Sequence, residues 1–148
     1  MSQDLYVVLS IDQWEWGAPY QNNCGSSARW DNLEGVSTPV NGDILKLRRL
    51  NVSVFDKNTR KDELIGGGNV GLRLPGSKPG KEVLLSIPVT NKNGEGCGLV
   101  EILVQVDEVS LGRPGLAEGG LQSTDEGFFE IRKIELSGLD NKGMQSIS

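Results

Sequence analysis

The strongest constraint on this chain is alternation. Apolar residues recur at every second position in several short runs, while the 3.6-residue period of an amphipathic helix is nearly absent. In Leu5–Ile11, Leu5, Val7, Leu9 and Ile11 share one face. Leu50, Val52 and Val54 do the same within Arg49–Phe55, and Val100, Ile102, Val104 and Val106 within Leu99–Val106. Glu101 and Gln105 take the opposite face of that run. In an extended chain successive side chains point to opposite faces, so each run predicts a strand with one wall in a core. Leu64–Leu74, Val83–Val89 and Phe128–Leu136 read as further strands. Alternation in the last is mixed, and Pro88 confines the end of the second to an edge.

Turn chemistry separates the runs: Gly17–Ser27, Asn41-Gly42-Asp43, Pro75–Gly80 and Asn91–Gly98. The chain holds 20 glycines, and Gly66-Gly67-Gly68 sits inside an apparent strand, where it predicts a bulge or a close approach of another backbone. Many short strands divided by turns predict an all-β fold, an antiparallel eight-stranded β-sandwich. At 148 residues the chain is expected to be one domain with a core of its own. Residues 1–109 form the main body of that reading. Residues 110–127, rich in Gly, Ser and Glu, form a linker or long loop. Residues 128–148 carry a last strand that completes this sandwich or a neighbouring one.

Composition removes several functions. There is no histidine, the commonest general base and the usual partner of a nucleophilic Ser or Cys, and no catalytic constellation stands out. The chain is therefore read as a non-enzyme. A net charge of −5 argues against nucleic acid as a partner. Cys24 and Cys97 are far apart and are expected to be reduced thiols rather than zinc ligands. Residues 1–10 lack the pattern of a secretory signal, because Asp4 interrupts the apolar stretch. A cytoplasmic location follows as the expectation, with peripheral membrane association as its extension.

The most informative segment is Leu50–Gly66. An apolar strand ends in Asp56-Lys57-Asn58-Thr59-Arg60-Lys61-Asp62-Glu63, and Leu64-Ile65-Gly66 opens the next strand. Asp56, Asn58, Asp62 and Glu63 supply hard oxygen ligands of the kind Ca2+ takes. The same residues also make ordinary turns.

That pattern resembles the third calcium-binding loop of C2 domains. Other segments resemble the family in turn. Asp4-Leu5-Tyr6-Val7 is similar to its Asp-Pro-Tyr-Val strand start, with Leu5 in place of Pro. Ala28-Arg29-Trp30-Asp31 is similar to its Pro-x-Trp-Asn turn, and Gly98–Val104 to its Gly-x-Leu-x-x-x-Leu strand. Phe129–Asp140 is similar to the strand that enters its first calcium loop. The order differs: in the family the last segment immediately precedes the Asp4–Leu9 type. A circular permutant, a cut from a tandem array and a strand donated to a neighbour would each give this order.

The resemblance implies a calcium site made by Asp4 and Asp140 from the first loop and by Asp56, Asn58 and Glu63 from the third, with Asp62 able to replace Glu63. Asn58 stands where the family has Asp, so weak binding is expected. It further implies docking to membrane lipid or to a protein partner, with Met144 and Ile147 as candidate apolar tips. Trp14 and Trp16, on one side of an extended segment, are candidate partner contacts. The basic cluster Lys46, Arg48 and Arg49 reads as a solvated face. The favoured expectation is a non-catalytic module with weak Ca2+-dependent docking. The alternative is a calcium-independent structural domain that self-assembles head to tail into oligomers or filaments by strand exchange.

Overall fold

A computed structural model describes residues 3–22, 24–72, 82–108 and 126–139. They form β1 (Leu5–Ile11), β2 (Trp14–Gly17), β3 (Ala28–Trp30), β4 (Ser37–Asn41), α1 (Gly42–Leu47), β5 (Arg49–Asp56), β6 (Glu63–Gly71), β7 (Glu82–Thr90), β8 (Gly96–Glu108) and β9 (Glu126–Ser137). Every strand pairing is antiparallel, and the sheet curls in the order β2-β1-β5-β6-β7-β8-β9-β3, with β4 paired to β9 off this path. The all-β antiparallel reading therefore holds.

The inner face of the curl is the face picked out by alternation. Leu5, Val7 and Leu9 are fully buried, and Val7 and Leu9 stand opposite Val54 and Val52 in the β1–β5 register. Ile87, Val100, Ile102 and Val104 line the other side of the same core. Burying such rows from both sides of the curl is what offsets the entropy of ordering the strands.

The mixed alternation of β9 has a geometric cause. Phe129 and Ile131 are buried, and so are Ile134 and Leu136, yet the two pairs are out of phase by one residue. Against β8, Leu103 pairs with Lys133 and Val104 with Ile131, which leaves Arg132 as the extra residue of a bulge. The bulge returns Ile134 to the core side. It also marks where β9 changes partner on its other edge, from β4 (Ser37↔Glu130) to β3 (Trp30↔Ile134). The Arg132 carbonyl released there accepts the Leu33 N–H at 3.0 Å.

Gly66-Gly67-Gly68 makes the corner between β6 and β7. These strands share one register pair, Gly67↔Thr90. A Cβ on Gly68 would lie 2.3 Å from the Pro88 carbonyl oxygen, and one on Gly66 2.6 Å from that of Thr90. The close backbone approach expected of this triplet is present. Pro88 sits in β7, which is fully paired to β8 but barely paired to β6, so its missing N–H costs the sheet little.

The short strands β3 and β4 were not predicted, and two further features lie outside the sequence expectations. Asn41-Gly42-Asp43 opens the short helix α1, with Asn41 Oδ1 accepting the Ile44 N–H at 2.9 Å as an N-cap. Ala18–Gln21 continues alongside β1 beyond β2, with reciprocal Leu5–Gln21 backbone bonds of 3.1 and 2.9 Å. The buried Trp30 of β3 donates its indole N–H to the Pro19 carbonyl at 2.8 Å, tying this segment to β3.

Candidate functional site

The rim where β1 begins and β5 ends sets Asp4 beside Asp56, with Glu63 opposite Asp56 on β6. Leu5 pairs with Asp56, so Asp4 lies just beyond the end of β5. Its backbone N–H donates to Asp56 Oδ1 at 3.0 Å, across a separation of 52 residues. The Lys57 N–H donates to the Asp4 carbonyl at 2.8 Å. Residues 57–62 then loop out, and Glu63 returns opposite Asp56 in the β5–β6 register. Alternation explains the junction: Leu5 must face the core, and that fixes Asp4 and Tyr6 on the other side of the strand.

Asp62 is held from three sides at this rim. Oδ2 accepts the Tyr6 hydroxyl at 2.5 Å, and Oδ1 accepts the Asn58 N–H at 3.1 Å. The Lys57 ammonium lies 3.9 Å from Oδ1. Asp62 is held below its ordinary pKa, first by the Tyr6 hydrogen bond, then by the Asn58 N–H, with the Lys57 charge also favouring the anion. Tyr6 is pushed up from 10.0 to about 12, first by partial burial, then by donating to Asp62 and by the negative charge there. Its ring stacks on Phe55 of β5, centroids 5.2 Å apart and planes 13° from parallel.

Around this rim the surface is both basic and apolar. Lys57, Arg60 and Lys61 are exposed on the loop. Leu64, opposite Phe55, is 61% exposed, and Tyr20 is 47% exposed with the Lys57 ammonium 5.8 Å from its ring centre. Leu64, Phe55 and Tyr6 thus run across three strands on the outer face.

The remaining candidates divide. Glu63 and Asn58 are at the rim and exposed. Asp140, Met144 and Ile147 lie outside the described residues. Leu139, the last residue described, is buried, and its N–H donates to the Ser26 carbonyl at 3.0 Å. The Gln3 side-chain amide donates to the neighbouring Gly25 carbonyl at 3.1 Å, so the end of β9 reaches the rim that carries Asp4. Trp14 and Trp16 stand opposite Ile11 and Leu9 and pack half-buried against the core. Arg48 lies 3.7 Å from Asp12, and Arg49 donates to Asn69 at 2.6 Å. No disulfide joins Cys24 and Cys97. Among the described residues, no group of three or more His, Cys, Asp or Glu converges as a metal site.

Comparison with protein-family models finds no match, and comparison with curated proteins finds none of significance.

Tyr6 is the site residue that the sequence reading missed. The signal was present: Leu5 and Val7 face inward, so Tyr6 faces outward beside whatever follows β5. No local pattern tells that Asp62, 56 residues away, is what it meets.

Proposed function

We propose that this chain is a non-catalytic binding module with a C2-like two-layer sandwich, whose acidic rim takes Ca2+ weakly and docks to a membrane or protein surface. The fold part rests on the strand order. The single register pair between β6 and β7 divides the curl into β2-β1-β5-β6 and β7-β8-β9-β3. The functional part rests on one observation. The Asp4 backbone N–H donates to Asp56 Oδ1 at the rim, and Glu63, at the end of the loop that carries Asn58 and Asp62, returns opposite Asp56 in the β5–β6 register.

Oxygen donors from two chain segments on a short loop suit a hard cation. A bound cation would reverse the local potential of this acidic rim. Lys57, Arg60 and Lys61 add positive charge beside it, and Leu64 and Tyr20 offer apolar surface for contact. The alternative, a calcium-independent structural domain that self-assembles head to tail by strand exchange, would set β9 against a neighbour's β8 in the register it takes here with its own.

The test is calorimetric titration of the metal-stripped protein with Ca2+, followed by cosedimentation with phosphatidylserine vesicles. Binding in the micromolar-to-millimolar range, abolished in Asp4→Ala/Asp56→Ala with the fold intact, is the expected result. No heat of binding would sink the calcium part of the reading.

A further inference from the structure

We propose that the outer face of β7, β8 and β9 docks a cationic, apolar-bearing segment of a partner protein. Alternation builds this face. Leu85, Ile87, Val100, Ile102 and Val104 turn inward, so Leu84 and Leu103 turn outward, and these two stand opposite each other in the β7–β8 register. Leu84 is 56% exposed. Pro88 and Leu99 form a second outward apolar pair further along the same two strands. Among the described residues no element packs across this face.

Charge selects the occupant. Glu82 stands two residues before Leu84 on β7, and Glu101 two residues before Leu103 on β8. The strands are antiparallel, so the two carboxylates flank the leucine pair on opposite sides, each about 7 Å along its strand. On β9, Glu130 and Glu135 stand opposite Gln105 and Glu101. The cations of this face are already engaged. Arg132 bonds Glu130 and lies 4.0 Å from Glu82, and Arg29 is divided between Asp31 at 3.1 Å and Glu135 at 3.8 Å. Lys133, opposite Leu103, lies 3.8 Å from Asp31. Glu101 has no ion pair or hydrogen bond among the described residues, and it stands directly opposite Glu135, a like-charge pairing that weakens a sheet. A segment with an apolar side chain between Lys or Arg residues answers both features, covering the leucines and neutralising Glu101. No metal enters, and none of these residues belongs to the junction of Asp4 and Asp56.

The test uses the full chain, labelled with 15N, and a synthetic amphipathic peptide built of Leu and Lys, with its Leu and Glu counterpart as control. The Lys peptide should move the amide signals of Leu84, Glu101, Leu103 and Glu135, the effect should fade as salt is raised, and the Glu peptide should move none of them. Two variants then separate the contributions. Glu101→Gln should weaken the Lys peptide by about two- to fivefold, the weight of one exposed ion pair, while its urea midpoint stays level or rises because the repulsion with Glu135 is gone. Leu84→Ser, at an exposed position that leaves the core untouched, should weaken it as well. Asp4→Ala/Asp56→Ala should bind it unchanged. Signals that move elsewhere on the chain, or an affinity unaltered by both Glu101→Gln and Leu84→Ser, would overturn the proposal. So would signals of this face that shift with the protein's own concentration in the absence of peptide, which would make the occupant a second copy, or that shift with phosphatidylserine vesicles, which would make it a membrane.

Discussion

Tyr6 projects from the outer face of β1 because Leu5 and Val7 take the core positions on either side, and its meeting with Asp62 sets how pH acts on the rim. The folded chain holds the phenol proton more tightly than the unfolded one, since the Tyr6 pKa rises from 10.0 to about 12 on folding. The stabilisation this brings is complete below pH 10 and is lost as pH climbs toward 12. Asp62 works in the other direction. Folding favours its anion, so its contribution is present above the ordinary carboxylate range and is lost as pH falls through the lowered pKa. With only two tyrosines in the chain, the phenolate absorbance of Tyr20→Phe reports Tyr6 alone. Its midpoint should lie near 12, and Asp62→Asn in that background should bring it down. A midpoint unmoved by Asp62→Asn would break the assignment. In thermal melts from neutral pH upward, Tyr6→Phe should remove part of the alkaline loss of stability seen in the unaltered protein.

The corner between β6 and β7 shows what a strand-length element demands of its residues. Gly68→Ala puts a methyl group 2.3 Å from the Pro88 carbonyl oxygen, and Gly66→Ala puts one 2.6 Å from that of Thr90. Both neighbours are backbone of a strand fully paired to β8, so they cannot yield alone. Each substitution should destabilise by about 1–3 kcal/mol or more, the usual range for overpacking. Gly96→Ala, in the first position of β8 with open space around it, is the control and should be close to neutral by urea denaturation. An equal loss at Gly96 would mean that lost backbone freedom, not close approach, explains these glycines. The triplet was legible in the sequence as a close approach, but its partner was not, because nothing local points to β7. The same limit recurs elsewhere. β1 and β5 were read nearly to their ends because five or more residues alternate, and β7 because its apolar run is bounded by turn residues. β3, of three residues, and α1, of six, are too short to display a period. In β9 the Arg132 bulge shifts the phase between Ile131 and Ile134, so a true strand looks irregular in sequence. Asp56, Asn58, Asp62 and Glu63 were legible as one acidic loop. Their engagement by Tyr6 and by the Asp4 backbone was not, since those contacts span 56 and 52 residues.

For the molecule as a whole the decisive question is whose β9 completes the sheet. The strand is central to the fold: it pairs with β8, β3 and β4 and contributes Phe129, Ile131, Ile134 and Leu136 to the core, all fully buried. Losing it would open the curl between β8 and β3 and strip the core of Phe129, the largest fully buried side chain among the described residues. A strand of that weight, donated between molecules, would make stability depend on protein concentration by mass action. Paired within its own chain it makes folding unimolecular. Ile134→Ala separates the cases, because it removes buried apolar volume from β9 without touching the rim. The expected loss is about 2–5 kcal/mol, with a urea midpoint that stays constant over a hundredfold range of concentration in both the variant and the unaltered protein. A midpoint that rises with concentration, together with a scattering mass above the 16.0 kDa of one chain, would move β9 into a neighbour's sheet and turn the molecule into a link of a head-to-tail assembly.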